Sequence, residues 1–251
     1  SLHDALPIYI TEAECDSLKA LPLKLTYNRV DHKEGMATYF REYLRGVMTA
    51  PKPVKSTYRG WQMQKYYEDS LAWETNPLYG WCAKNKKKDG TNYNVYTDGL
   101  KIYTTLNSHM QQYAEEAVEE HLSFLQPLFF KEKVGSKNAP YARSISAKLV
   151  EELLTKAMKQ TDRYRLMNEA GASEQEIRKA FDTPQEMTVF SWTGAKDTIM
   201  TPMDSIRYYK SFLRTGFMSM DPLNGHVKAY VGGPNYVYFQ YDMAMRSEER
   251  R

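Results

Sequence analysis

Gly216-Phe-Met-Ser-Met-Asp221, Pro222-Leu-Asn-Gly225 and His226-Val-Lys-Ala-Tyr-Val231, closed by Gly232-Gly233, read as strand, turn and strand. Apolar residues alternate with polar ones on both sides of a Pro/Asn/Gly turn, the pattern of a β-hairpin with one covered face. Two similar signals lie upstream. Met187-Thr-Val-Phe-Ser-Trp192 and Lys196 to Met200 flank Thr193-Gly194. Asn94 to Thr97 and Leu100 to Leu106 flank Asp98-Gly99, a pair favoured in type I′ turns, with Leu100, Ile102 and Thr104 on one face.

Helices fill the intervals. Thr11-Glu-Ala-Glu14 is a capping box and opens a short helix that stops near Leu21-Pro22. Asp31 can cap a helix running through Gly35 to about Met48, with Met36, Tyr39, Phe40, Tyr43, Leu44 and Val47 as its apolar stripe. Pro51 and Pro53 end it. Tyr58 to Trp81 reads as a short helix with turns, and Lys84 to Gly90 as a solvated turn. Ser108 to about Leu125 is a long helix with Met110, Tyr113, Ala114, Ala117, Val118, His121 and Leu122 at core spacing, so His121 reads as a packed histidine. Ser146 starts a helix to Met158, Gly171 ends another, and Ser173-Glu-Gln-Glu176 is a second capping box. Thr201-Pro202 opens a helix to about Arg214 that buries Ile206, Tyr209 and Phe212. The fold class is α+β: a helical linker and a helical insertion with separate hairpins, the last opening a larger sheet. An isolated hairpin is marginal in water, so Phe217, Met220, Val227, Tyr230 and Val231 are expected to be partly exposed unless the insertion covers them.

Apolar residues make up 42% and charged residues 26%, ordinary values for a folded chain, and a net charge of +3 is too weak to argue for nucleic acid. The 20 tyrosines, among them Tyr66-Tyr67 and Tyr208-Tyr209, suit half-buried layers better than a stacking platform. No apolar run is long enough to span a bilayer, and Ser1 to Tyr9 does not resemble a signal peptide. Cys15 and Cys82 fit no metal spacing and read as free thiols.

Both ends look foreign. Ser1-Leu-His-Asp-Ala-Leu-Pro-Ile8 resembles the translation of a sequencing adaptor, TCC CTA CAC GAC GCT CTT CCG ATC, and Arg246-Ser-Glu-Glu-Arg-Arg251 resembles its reverse-complement reading. Both ends are set aside from the fold reasoning.

Several blocks, taken in order, resemble class A penicillin-binding proteins. Residues 216–233 and Tyr238-Phe-Gln-Tyr-Asp-Met-Ala244 are similar to the opening of the transpeptidase domain. Asp98 to Asn107 and Gln111 to Val118 resemble the linker strand and helix, and Gly35 to Glu42 another linker element. Tyr9 to Glu14 with Ala20 to Leu23 resembles the end of the glycosyltransferase domain. The resemblance divides the chain into a glycosyltransferase end (9–30), an interdomain linker (31–126), a helical insertion with a hairpin (127–214) and the start of the transpeptidase domain (215–245). Within the insertion, 127–200 is the least familiar stretch and reads as lineage-specific. The parent enzyme implied is held in the bacterial inner membrane, on the periplasmic side, by one N-terminal anchor that is not in this chain. It polymerises lipid II into glycan strands and cross-links stem peptides through an acyl-Ser.

Neither active site is expected here. Transpeptidation needs Ser-x-x-Lys, so that the amine can withdraw the hydroxyl proton, and no Ser has a Lys three residues on. The resemblance puts that motif beyond Met245 and the glycosyltransferase carboxylates before Tyr9. Arg214-Thr215-Gly216 and Trp192-Thr193-Gly194 imitate Lys-Thr-Gly, and Glu68-Asp69 imitates a glycosyltransferase acidic pair; all read as decoys. Ser205, Ser211 and Ser219 are the serines to examine first should an acyl-enzyme form. No cofactor or metal is expected in this piece, although a divalent metal suits the parent's glycosyltransferase domain. The partners implied for the parent are lipid II, glycan strands, stem peptides and β-lactams, with cell-wall machinery proteins meeting the insertion. A non-catalytic periplasmic scaffold module, and an unrelated enzyme, remain as alternatives.

Overall fold

A computed structural model describes residues 11–19, 33–133, 135–136, 138–142 and 144–245. The chain divides into two units, residues 1–31 and 32–251. In the first, helix α1 (Glu12–Lys19) begins at the expected capping box. The Thr11 N–H donates to the Glu14 carboxylate (2.7 Å), and the Glu14 N–H donates back to the Thr11 hydroxyl (3.3 Å). The expected stop at Leu21-Pro22 and the cap at Asp31 lie outside the described residues, as do both adaptor-like ends.

The second unit mixes helices with two separate antiparallel hairpins, which is the α+β class expected. Helix α2 (Thr38–Met48) starts later than expected. Gly35 (φ +89°) and Ala37 (φ +53°) are both left-handed, which no helix interior permits, so the chain reaches helical geometry only at Thr38. Tyr39 and Met48 are buried, whereas Met36 and Tyr43 are exposed. Helix α3 (Met63–Thr75) and the short α4 (Trp81–Lys84) fill the region read as helix with turns. Asp69 ties it together, accepting from the Tyr58 hydroxyl (2.8 Å) and pairing with Lys65 (3.7 Å).

The hairpin expected over 94–106 does not form. The Asp98 carboxylate accepts from the Asn94 N–H (2.6 Å) and from Lys87 Nζ (3.1 Å), and the Asp98 N–H donates to the Asn94 carbonyl (3.2 Å). This closes a local loop where two strands would have to meet. The stretch after Gly99 belongs to no strand, and its end docks elsewhere: the Asn107 N–H donates to the Lys228 carbonyl (2.9 Å).

Helix α5 (Ser108–Lys133) is the spine of the unit, about 39 Å long at 1.5 Å per residue. It runs on past Leu125 through Pro127. Pro127 cannot donate to the Ser123 carbonyl, but it lies on the exposed side, where water can serve that group. The expected break at 126/127 is therefore not a break in secondary structure. The buried face is also rotated from the one expected: Gln111, Ala114, Leu122 and Gln126 are buried, while Met110, Tyr113 and His121 are exposed. His121 is thus a surface histidine rather than a packed one.

Helices α6 (Ala147–Lys159), α7 (Asp162–Glu169) and α8 (Glu174–Asp182) follow, capped by Ser146, Thr161 and Ser173, each hydroxyl accepting from the backbone N–H three residues on. Met158, Ile177 and Phe181 form their core, with Met203 and Ile206 packed against it. Strands β1 (Gln185–Val189) and β2 (Lys196–Met200) pair as expected, with Met187 opposite Thr198. Helix α9 (Pro202–Lys210) has Thr201 as its cap and Pro202 in its first turn, and ends before Arg214. Strands β3 (Phe217–Met220) and β4 (Val227–Val231) form the last hairpin, with Phe217 opposite Val231 and an irregularity between Ser219 and Met220.

Candidate functional site

The last hairpin sits in a seat built from distant parts of the chain. Alternation along β4 sends Ala229 and Val231 down onto Ala114 and Val118 of α5, and these form one small core. Tyr230 points to the opposite face, where its hydroxyl donates to Asp242 (2.7 Å) and its ring meets Phe40 of α2 at 5.9 Å.

The outer edge of β4 is closed by side chains. Gln111, 1% exposed, accepts from the Tyr230 N–H (2.7 Å) and donates to the Tyr230 carbonyl (2.8 Å). One carboxamide thereby replaces one residue of a missing strand. The Thr105 hydroxyl donates to the Val227 carbonyl (2.8 Å) and extends the closure. Gln111 also donates to Glu115 (2.7 Å), which accepts from the Ala37 N–H (2.8 Å) and so joins the start of α2 to the seat.

Gln126, four turns further along α5, repeats the device. It accepts from the Leu213 N–H (2.8 Å) and donates to the Ser211 carbonyl (2.9 Å). Beside it Phe212 packs with Phe190 and Phe239, surrounded by Trp192, Tyr208, Tyr209 and Tyr238. The last hairpin and the segment just before it are thus fastened to one helix.

Gly232-Gly233 follows β4 because Tyr39 passes across it. A Cβ on Gly232 would lie 2.6 Å from Tyr39 Cδ1. The Tyr39 hydroxyl donates to the Phe239 carbonyl (2.6 Å). Burial pushes the phenols of Tyr39 and Tyr230 well above their ordinary range, and Asp242 pushes that of Tyr230 further.

β3 stays open. Tyr230 turns its backbone groups to Gln111, so its cross-strand neighbour Met218 turns its own away from β4. Phe217 and Met220 are exposed and Val227 half-buried, as expected, and Met218 is exposed too, whereas Tyr230 and Val231 are buried under α5 and α2.

The residues singled out from the sequence do not converge. The Ser205 hydroxyl donates to the Pro202 carbonyl (2.8 Å) and that of Ser211 to the Arg207 carbonyl (2.9 Å), while Ser219 stands on β3 opposite Ala229. The Arg214 guanidinium lies 4.7 Å from the centre of the Phe239 ring, and a Cβ on Gly216 would lie 2.6 Å from the Ala244 nitrogen, so Arg214-Thr215-Gly216 serves packing. Trp192-Thr193-Gly194 is the loop between β1 and β2, with Gly194 at φ +110°. Glu68 accepts from Gln64 (2.9 Å) on the surface of α3. Ser136-Lys137-Asn138 has the Ser-x-Asn form of a transpeptidase motif, against the expectation that none is present; the Asn138 carboxamide donates to the Ile145 carbonyl and closes a loop. Cys82 is buried and free, Cys15 is free and half-buried, and no His, Cys, Asp and Glu grouping suited to a metal occurs among the described residues.

Residues 136–213 match the family model described as the penicillin-binding protein middle domain. The match covers α6 to α9 with the β1–β2 hairpin, the stretch that looked least familiar in the sequence. No curated protein and no solved structure matches the chain. Among the described residues no helix is long and apolar enough to cross a membrane. The middle domain is the finding that supports placing the chain with the penicillin-binding proteins, a family of cell-wall synthesis.

Proposed function

We propose that this chain is a non-catalytic stretch of a class A penicillin-binding protein, joining a glycosyltransferase domain to a transpeptidase domain. The parent would polymerise lipid II and cross-link stem peptides from a periplasmic, membrane-anchored position. Residues 9–30 would end the first domain, 31–126 form the linker, 127–214 carry the middle domain, and 215–245 begin the second. A divalent metal, if the parent uses one, would belong to its glycosyltransferase domain.

One observation carries the reading: a matched middle domain followed directly by a hairpin that is seated on one edge and open on the other. An open, apolar strand edge is what the first hairpin of a larger sheet presents before later strands are added. The role that follows for the chain is mechanical. Helix α5 holds the middle domain through Gln126 and the hairpin through Gln111, and so sets where the transpeptidase sheet begins. The natural coding sequence past Met245 tests this. Ser-x-x-Lys is expected within about one or two dozen codons. A natural sequence that continues as Arg-Ser-Glu-Glu-Arg-Arg and then stops would contradict it.

A further inference from the structure

We propose that Asn224 is a deamidation site, at which the backbone nitrogen of Gly225 displaces the side-chain amide, and that the converted turn loosens the β3–β4 hairpin. Asn224-Gly225 is the single Asn-Gly pair in the chain. Every other asparagine is followed by proline, which has no N–H, or by a residue whose side chain crowds the amide nitrogen. Around Gly225 the space is open: even a Cβ built there would meet nothing within 4 Å. Residues 222–226 are all exposed, so water and hydroxide reach the turn.

The turn presents the carboxamide for this reaction. Asn224 Oδ1 accepts from the His226 N–H (2.9 Å), and Nδ2 donates to Asp221 (2.9 Å). Gly225 gives its amide proton to hydroxide, and its nitrogen bonds to Asn224 Cγ. Negative charge then gathers on Oδ1, the atom that the His226 N–H serves. The Cγ–Nδ2 bond breaks, and the nitrogen leaves as ammonia after taking a proton from water, which restores the hydroxide. The five-membered imide takes up one water and opens at either carbonyl, to aspartate or to isoaspartate. No oxidant or reductant enters. The Gly225 N–H donates to the Asp221 carbonyl (2.9 Å), so that one exposed bond opens before the attack.

The product does not fit the turn that makes it. The Asp221 carboxylate accepts from the Leu223 N–H (3.0 Å) on one oxygen and from Asn224 on the other. These contacts hold the Asp221 carboxyl below its ordinary range. After conversion a carboxylate faces a carboxylate, and a hydrogen bond becomes a repulsion. Isoaspartate also lengthens the backbone between Asp221 and His226, whose N–H and carbonyl close the turn (2.9 Å). The hairpin is thereby weakened at its turn, while the Gln111 contacts still hold β4.

Peptide mapping by mass spectrometry, after the full chain has stood in mildly alkaline buffer, tests the proposal. The mass gain of amide-to-acid conversion is expected at Asn224 several-fold ahead of every other asparagine, with isoaspartate among the products. Gly225→Ala crowds the nitrogen and should slow the gain several-fold. Because Gly225 sits at φ +71°, alanine there is strained, so Asn224→Gln serves as the second variant: it keeps Gly225 and should abolish the gain, since its ring would need six members. In Asn224→Asp, hydrogen exchange at the Asp221 and Gly225 amides should quicken several-fold while that at Tyr230 stays slow. A gain at Asn224 no faster than at the other asparagines, a gain unchanged in Gly225→Ala and Asn224→Gln, or unaltered exchange in Asn224→Asp would each overturn the proposal.

Discussion

Gln111 and Gln126 each serve a backbone N–H and a backbone carbonyl with one carboxamide, and both are 1% exposed. Replacing Gln111 by Leu keeps the bulk but leaves two groups of Tyr230 unpaired. At about 1–3 kcal/mol for each buried group left unmade, the loss should be roughly 2–6 kcal/mol in urea unfolding. Gln112→Leu, one residue away on the exposed face, should change stability by no more than about 0.5 kcal/mol. Equal effects of the two substitutions would show that the carboxamide contacts do not fasten the hairpin. The buried phenols give a pH signature. Burial, and a neighbouring aspartate as well, raises the folded-state values of Tyr39, Tyr230 and Tyr79, that of Tyr79 to about 12. A raised value means stabilisation that is complete below the unfolded value, near pH 10, and lost as pH rises through the folded one. The unfolding midpoint should therefore fall on the alkaline side of about pH 10. Ultraviolet titration of the native chain should show a late class of phenols that vanishes in urea. A single class near the ordinary value would contradict the burial described.

At the scale of elements, local chemistry was legible and pairing was not. The capping boxes at Thr11 and Ser173, the Ser146 cap and the Thr201-Pro202 start all stand where the sequence placed them, because each depends on residues within one turn. The hairpin over 94–106 failed because Asp98-Gly99 favours a turn but cannot supply a partner, and the Asp98 carboxylate had closer donors at Asn94 and Lys87. Alternation still told the truth about faces, since Leu100, Ile102 and Thr104 do share one groove. The face of α5 was misread by part of a turn: its apolar arc is wider than the part it buries, and a glutamine, which no apolar pattern marks, sets the rotation. The last hairpin makes a sharper prediction than its sequence did. Amide exchange should be slow at Tyr230 and fast at Met218, although the two lie opposite each other. Equal rates would mean that the edge of β3 is covered or that of β4 is not.

At the scale of the molecule, the sequence resemblance and the middle-domain match point to one family along different routes. The resemblance rested on blocks within 9–42, 98–118 and 216–244, whereas the match falls on 136–213, between the last two. Within the second unit the seat around α5 joins the later blocks to the matched stretch physically, and no motif could have announced it, because its key contacts link Gln111 to Tyr230 and Gln126 to Leu213 across long stretches of chain. The central proposal is that this chain is a stretch of a penicillin-binding protein that lies outside its acylating site. A β-lactam acylates a Ser whose proton a nearby Lys can withdraw while placed donors hold the oxyanion, and no Ser here is followed by Lys at the third position. The most direct measurement is intact-mass spectrometry after incubation with penicillin, on this chain and on one extended through the natural sequence past Met245. The account predicts no adduct on the first and one stoichiometric adduct on the second, at the Ser of the added motif. A stoichiometric adduct on a Ser between Tyr9 and Met245, with Ser205, Ser211 and Ser219 the first to examine, would contradict it.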